Sequence, residues 1–301
     1  VIPVLAHRDE PEALAEQHWT FGDRMKPAMA NPAGASDLRC YASPRHDQRR
    51  TSSCAAQTMI KALELLRIKK WGLAAHVDLS RLACYFLARE LMSPPETDHD
   101  EGSYISGNAE ALRRFGACVE SLWPFDERLI LKSPPWSVMQ SAYKNKLAGW
   151  TRINSSGGNR VDDVILSLAN GVPVAFGTNV GSEWMDYGSG SAPIGMPKDF
   201  KGRHATLLEG WDPQKGVFLG ENSWGCYDEQ TEVLTQKGWR NFADLQGDEM
   251  FATLNPTTHH LEYQKAVKLH EYDYDGDLWH FESQGVNLAV TPNHRMYVTN
   301  H

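Results

Sequence analysis

One peptide bond, between Gly225 and Cys226 in "ENSWGCYDEQTEVLT", divides the chain into two kinds of sequence. Before it, helical patterning comes first. "TSSCAAQTMIKALELLRIKKWG" offers Ser52 or Ser53 as an N-cap. Ala55, Met59, Ile60, Leu63 and Leu66 follow at helical spacing, with Gly72 past the end. "DLSRLACYFLARELM", "SGNAEALRRFGA" and "VDDVILSLANG" read as three further helices, the last closed by Gly171. Strand patterning then takes over in "VPVAFGTNV", "HATLLEGWD" and "GVFLGENSW". Helices followed by strands without regular alternation predict an α+β domain. After Cys226 the runs "TEVLT", "EMFATLN", "YQKAVKLHEY", "DLWHFES", "VNLAVT" and "RMYVT" are short and separated by turn residues, which predicts an all-β segment. Residues 1–36 read as an N-terminal arm with a short helix around "EPEALAEQHW".

Charge divides at the same bond. Residues 1–225 carry 25 Lys and Arg against 26 Asp and Glu, whereas residues 226–301 carry 5 against 12. The acidic tail argues against nucleic acid as its partner. A solvated face and a surface for a basic protein partner both fit it. No run of 18 apolar residues suggests a membrane span, and the N-terminus lacks the basic and long apolar regions of a signal peptide. The five cysteines, Cys40, Cys54, Cys84, Cys118 and Cys226, are odd in number and form no CxxC pair or cysteine-histidine cluster. No metal and no cofactor is expected, and three of the five read as buried or free thiols of a cytoplasmic protein.

Cys54 stands at the start of the longest helical pattern, where the positive end of the helix dipole favours a thiolate. Alone it reads better as a small core residue, and its company changes that. His204 heads an apolar strand, and Asn222 follows 18 residues later, a hairpin's distance. An Asn side-chain carbonyl can accept the Nδ1–H of the imidazole and fix its tautomer. Gln48, six residues before Cys54, can join the Cys54 backbone N–H in stabilising an oxyanion.

With "DLR", "QRRTSSC", "LSRLACYFLARE", "EALRRFGACVESLWPFDE", "HATLLEGWD" and "ENSWG", residues 37–225 resemble the papain-like cysteine peptidases. The resemblance implies a helical lobe packed on a β lobe. It makes Cys54 the nucleophile, His204 general base and acid, Asn222 its orienter and Gln48 an oxyanion donor. Trp224 would shield the His–Asn pair from water. The surroundings of Cys54, "SSCAA", lack the aromatic residue the family usually places after the nucleophile, and residues 1–36 are short for its inhibitory propeptide.

The family's strands should continue after Asn-Ser-Trp-Gly, but that pattern stops at Gly225. The rest resembles the first part of an intein, a self-splicing Hint-type domain. The matching pieces are Cys226, Thr231 and Val233 in Cys-x4-Thr-x-Val, then "LQGDEM", then Thr291 and His294 in Thr-x-x-His. The resemblance implies that the Cys226 thiol attacks the Gly225 carbonyl and turns the amide into a thioester. His294 would protonate the departing amine, and Thr291 would hydrogen-bond near the scissile bond. The His-Asn end of a whole intein is not reached, so either the sequence is truncated or the C-terminal part is a separate chain. The acidic tail favours a separate, basic C-terminal intein fragment with its own extein as the partner.

The organisation expected is therefore an arm (1–36), a papain-like domain lacking its last strands (37–225) and a partial all-β Hint domain (226–301). The chain would be the precursor of a peptidase that acts on peptide bonds after trans-splicing. A cleavage-only Hint domain, a transferase with the same acyl-enzyme chemistry, a catalytically dead papain-like binding protein and an artificial fusion are the competing readings.

Overall fold

The structure, a computed structural model, describes residues 35–155, 157–185, 193–223, 231–255, 258, 260–266, 279–282 and 287–290. The chain divides into two compact units, Val1–Val180 with Lys201–Trp224, and Gly181–Phe200 with Gly225–His301.

In the first unit the helices are α1 (Cys54–Trp71), α2 (Arg81–Glu90), α3 (Ile105–Arg114), α4 (Trp136–Ala142) and α5 (Gly158–Ala169). Ser53 stands at the N-cap position of α1, but its side chain makes no capping bond. Its hydroxyl lies 2.7 Å from Thr51 Oγ1 and accepts from Gln57 Nε2 at 3.1 Å. Ser80 does cap α2, accepting from the Ala83 N–H at 3.2 Å. Helix α4 was not foreseen, because seven residues after Pro135 are too few to show a period.

Helix α1 is covered on two sides. Met59, Ile60 and Leu63 pack with Leu79, Tyr85 and Leu112 in a helical core, while Ala62 and Leu65 pack with Val164, Leu168, Leu207 and Leu208. Each fully buried Ile or Leu contributes roughly 2 kcal/mol. The four strands are β1 (Ser36–Asp37), β2 (Val174–Val180), β3 (Gly202–Asp212) and β4 (Val217–Glu221). Central β3 pairs antiparallel with β2 along residues 202–208, with β1 at Gly210 and Trp211, and with β4 along residues 207–212. The ladder to β4 shifts register between Leu208 and Gly210, a bulge at Glu209.

In the second unit a short helix, α6 (Ser182–Met185), is clipped by Asp199, whose carboxylate accepts from the Ser182 N–H at 2.7 Å and hydroxyl at 2.6 Å. The strands are β5 (Glu232–Thr235), β6 (Gly238–Asn241), β7 (Met250–Leu254), β8 (Leu261–Lys265), β9 (Trp279–Glu282) and β10 (Asn287–Val290). They form an antiparallel sheet in the order β6-β5-β7-β8 and a separate β9–β10 pair. Strand β6, "GWRN", shows no apolar alternation and exists through its tight turn to β5, where Gly238 takes a φ of 98°. The strand expected over "YQKAVKLHEY" is described as far as Lys265, and "RMYVT" lies outside the described residues. No described helix is long and apolar enough to cross a membrane.

Gly116 just beyond α3 tests this packing. It has a φ of 81°, and a Cβ there would sit inside the envelope of the Ala142 carbonyl oxygen at the end of α4. Gly116→Ala should cost about 2–4 kcal/mol in urea unfolding, from backbone strain and overpacking together.

Candidate active site

Cys54 is the first residue of α1 and fully buried, packed with Ala55 and with Ala205 of β3. His204 precedes Ala205 on β3, opposite Thr178 of β2, and is also fully buried. Asn222 directly follows β4, whose last residue Glu221 pairs with Leu207. The antiparallel register thus returns the chain to His204 after 18 residues.

His204 Nε2 lies 2.8 Å from Asn222 Oδ1. This corrects the expectation that Nδ1 would take the Asn carbonyl. The Ser223 N–H donates to the same Oδ1 at 2.8 Å, so that atom is an acceptor and the imidazole proton sits on Nε2. Gln48 is fully buried and held to the same corner of the sheet. Its backbone N–H donates to Ser223 O at 3.0 Å, its Oε1 accepts from Ser223 Oγ at 2.9 Å, and its Nε2 donates to Thr51 O at 3.0 Å. Trp224, Gly225, Cys226, Thr291 and His294 lie outside the described residues. Thr231 is buried and its carbonyl accepts from the Phe242 N–H at 3.0 Å.

The sequence reading missed the polar support beneath these residues. Lys61 of α1 donates to Glu221 Oε1 at 2.8 Å, to Pro44 O at 3.1 Å and to Ser43 O. Thr206 Oγ1 donates to Glu221 O. A small cavity lies here, with Gln57, Thr58, Lys61, Ala205, Glu221 and Asn222 among its lining residues. Its size suits about one water molecule.

One turn further along α1, Glu64 accepts from Ser43 Oγ at 2.6 Å and the Leu79 N–H at 2.8 Å, with His46 Nε2 at 3.2 Å. Burial alone would raise its carboxyl; the imidazoles of His46 and His76 and the Ser43 hydroxyl hold it below the ordinary value. Burial and the Arg81 charge lower His46, which is neutral at pH 7. His46, Glu64 and Asp78 present ligand-type atoms within 4.8 Å of one another. Glu64 already has its donors, and Arg81 Nη1 stands 3.3 Å from Asp78 Oδ1, so the cluster is neutralised by side chains of this unit. Burial also pushes up the thiols of Cys84 and, to about 11, Cys118.

No family model matches the chain. An uncharacterised peptidase C1-like protein of Acanthamoeba polyphaga mimivirus is 27% identical over 187 residues, 60% of this chain and 59% of that protein. An ATP-dependent Clp protease proteolytic subunit of Chlamydomonas moewusii is 44% identical over 73 residues, 24% of this chain and 7% of that protein. A C-terminal section of DNA-directed RNA polymerase subunit beta of Stigeoclonium helveticum is 36% identical over 87 residues, 29% and 8%. The chain spans less than two thirds of each of these relatives. Among solved structures, xylellain, a cysteine protease from Xylella fastidiosa, superposes with a TM-score of 0.61 at 24% identity, covering 75% of this chain and 88% of that one. A mite allergen of the Blo t 1 and Der p 1 kind gives 0.55 at 18%, covering 72% and 69%. The mixed helix-and-sheet fold is papain-like.

Glu209, buried at the β3 bulge, carries a carboxyl pushed up to about 8 by burial and by the neighbouring Glu221 charge. Folded Glu209 therefore holds its proton between its unfolded value and about 8, where the unfolded chain has lost it. Stability should fall as pH rises from about 5 to about 8. Glu209→Gln should flatten that slope in thermal melts taken across the range.

Proposed function

We propose that residues 37–225 are a papain-like cysteine peptidase in precursor form, and that residues 226–301 are the N-terminal fragment of an intein. The hydrogen bond between His204 Nε2 and Asn222 Oδ1, beside a cysteine at the head of α1, carries the peptidase reading. With its proton on Nε2, the imidazole offers Nδ1 to the Cys54 thiol, which becomes a thiolate. The thiolate attacks the carbonyl carbon of a peptide substrate, and the oxyanion accepts from the Cys54 N–H and Gln48 Nε2–H. Gln48 Nε2 has two protons, of which Thr51 O takes one. His204 then protonates the leaving amine, and the acyl-enzyme forms. In the second half His204 removes a proton from water, which attacks the thioester and releases the acid.

Two observations support the intein reading. One of the divisions between the compact units falls between Trp224 and Gly225, residues 181–200 also grouping with the second unit. Stretches of 73 and 87 residues of this chain match a protease subunit and a polymerase subunit, under a tenth of each, and short stretches shared with proteins of unrelated activity are what a transferable element would leave. Cys226 would attack the Gly225 carbonyl, forming a thioester and freeing the Cys226 amine, which His294 would protonate with Thr291 beside it. A C-terminal fragment, attracted by the acidic tail, would receive the acyl group on a Cys, Ser or Thr side chain. Cys40, Cys54, Cys84 and Cys118 form no disulfides, which suits the cytoplasm.

Tryptic mass spectrometry on protein from the native host tests the junction. The expected result is "GVFLGENSWG" running into new residues that begin with Cys, Ser or Thr; Cys226→Ala should leave "GVFLGENSWGCYDEQTEVLTQK" intact. That uninterrupted peptide throughout the wild-type population would exclude splicing, and residues 1–225 ending in a free carboxylate would identify cleavage alone. Spliced product should hydrolyse peptide substrates and the unspliced chain only weakly. Cys54→Ala should lower kcat/KM of the product at least about a thousandfold.

A further inference from the structure

We propose that Lys61 is a positioning residue for the Cys54–His204–Asn222 site, a buried cation that fastens α1, which begins at Cys54, to the loop leading to Gln48 and to the end of β4 just before Asn222. The inference rests on the peptidase reading above. Lys61 lies seven residues after Cys54, two turns along the same face of α1. Its side chain is 5% exposed. An ammonium has three protons and no acceptor capacity. Here the three acceptors are Ser43 O, Pro44 O and Glu221 Oε1. Ser43 and Pro44 open the segment that runs to Gln48, Glu221 is the residue before Asn222, and α1 itself begins at Cys54. The loop that runs to Gln48 is thus attached twice and the end of β4 once to a nitrogen carried by α1, while β3 with His204 pairs with β4.

Burial makes these attachments directional. An ammonium out of water is costly unless every proton is bonded, so moving any one segment by an ångström exposes the cost. A methionine at position 61 would fill the same volume and bury more apolar surface, yet hold nothing in direction. The other titratable or charged groups around it are Glu64 and His46 on the α1 side, Glu209 beside Glu221, and Arg45, 4.0 Å from Glu221 Oε1. Thr206 fixes the Glu221 carbonyl and Gln48 grips Ser223, while the side chain of Glu221 is held by Lys61 at 2.8 Å, with Arg45 farther off at 4.0 Å.

The test follows alkylation of Cys54 by iodoacetamide in the full chain between pH 4.5 and 9, peptide by peptide, with exposed Cys40 as internal reference. Wild type should show fast alkylation of Cys54 in the acidic range, where a thiolate survives only beside the His204 imidazolium. In Lys61→Met and in Glu221→Leu the acidic rate should fall about tenfold. The Cys40 rate should not change, and the double variant should be no slower than the slower single one. A fast acidic arm that survives in Lys61→Met overturns the inference alone. A wild-type Cys54 no faster than Cys40 in the full chain and in the spliced product alike overturns the peptidase reading and this inference with it. If circular dichroism shows that Lys61→Met does not fold, Glu221→Leu, which leaves the ammonium on its two carbonyls, decides in the same way.

Discussion

Helix α1 has almost no side facing water until its last turns, and the rest of the first unit follows from that. A helix that packs apolar side chains on both flanks gains more than a surface helix of equal length, but any charge on it must be answered by the surrounding chain. Lys61 and Glu64 are such charges, one turn apart. Their partners come from the loop before α1, the loop before α2 and the end of β4. The apolar flanks hold the helix in place; the polar seam decides which loops lie beside it and in what register.

The same logic separates what could be read in the sequence from what could not. Cys54 at a helix start and the hairpin joining His204 to Asn222 are local patterns, set by capping, periodicity and strand register over fewer than twenty residues. The α+β class was legible for that reason. The ring nitrogen facing Asn222 was not, because it depends on how a buried imidazole turns within its strand. Lys61 and Glu221 stand 160 residues apart, and no spacing rule pairs them. A charge repeating on the Cys54 face of an otherwise apolar helix was the available signal. Helix α4 and strand β6 escaped because one is too short for a period and the other is held by its partner and turn rather than by its own side chains.

The residues after Gly225 have a different economy. Their described strands pair β5 with β6, β7 with β8 and β9 with β10, and among the described side chains Thr231, Thr235, Glu249 and Val290 are buried.

The bonds from Gln48 to Ser223 join residues 175 positions apart. During synthesis the helical part, built from near neighbours, can organise as it emerges, whereas this corner must wait until almost three quarters of the chain has been made. The thiol end of α1 is therefore in place long before the imidazole and the amide reach it. The order of manufacture itself keeps the Cys54 thiol apart from His204 on the ribosome.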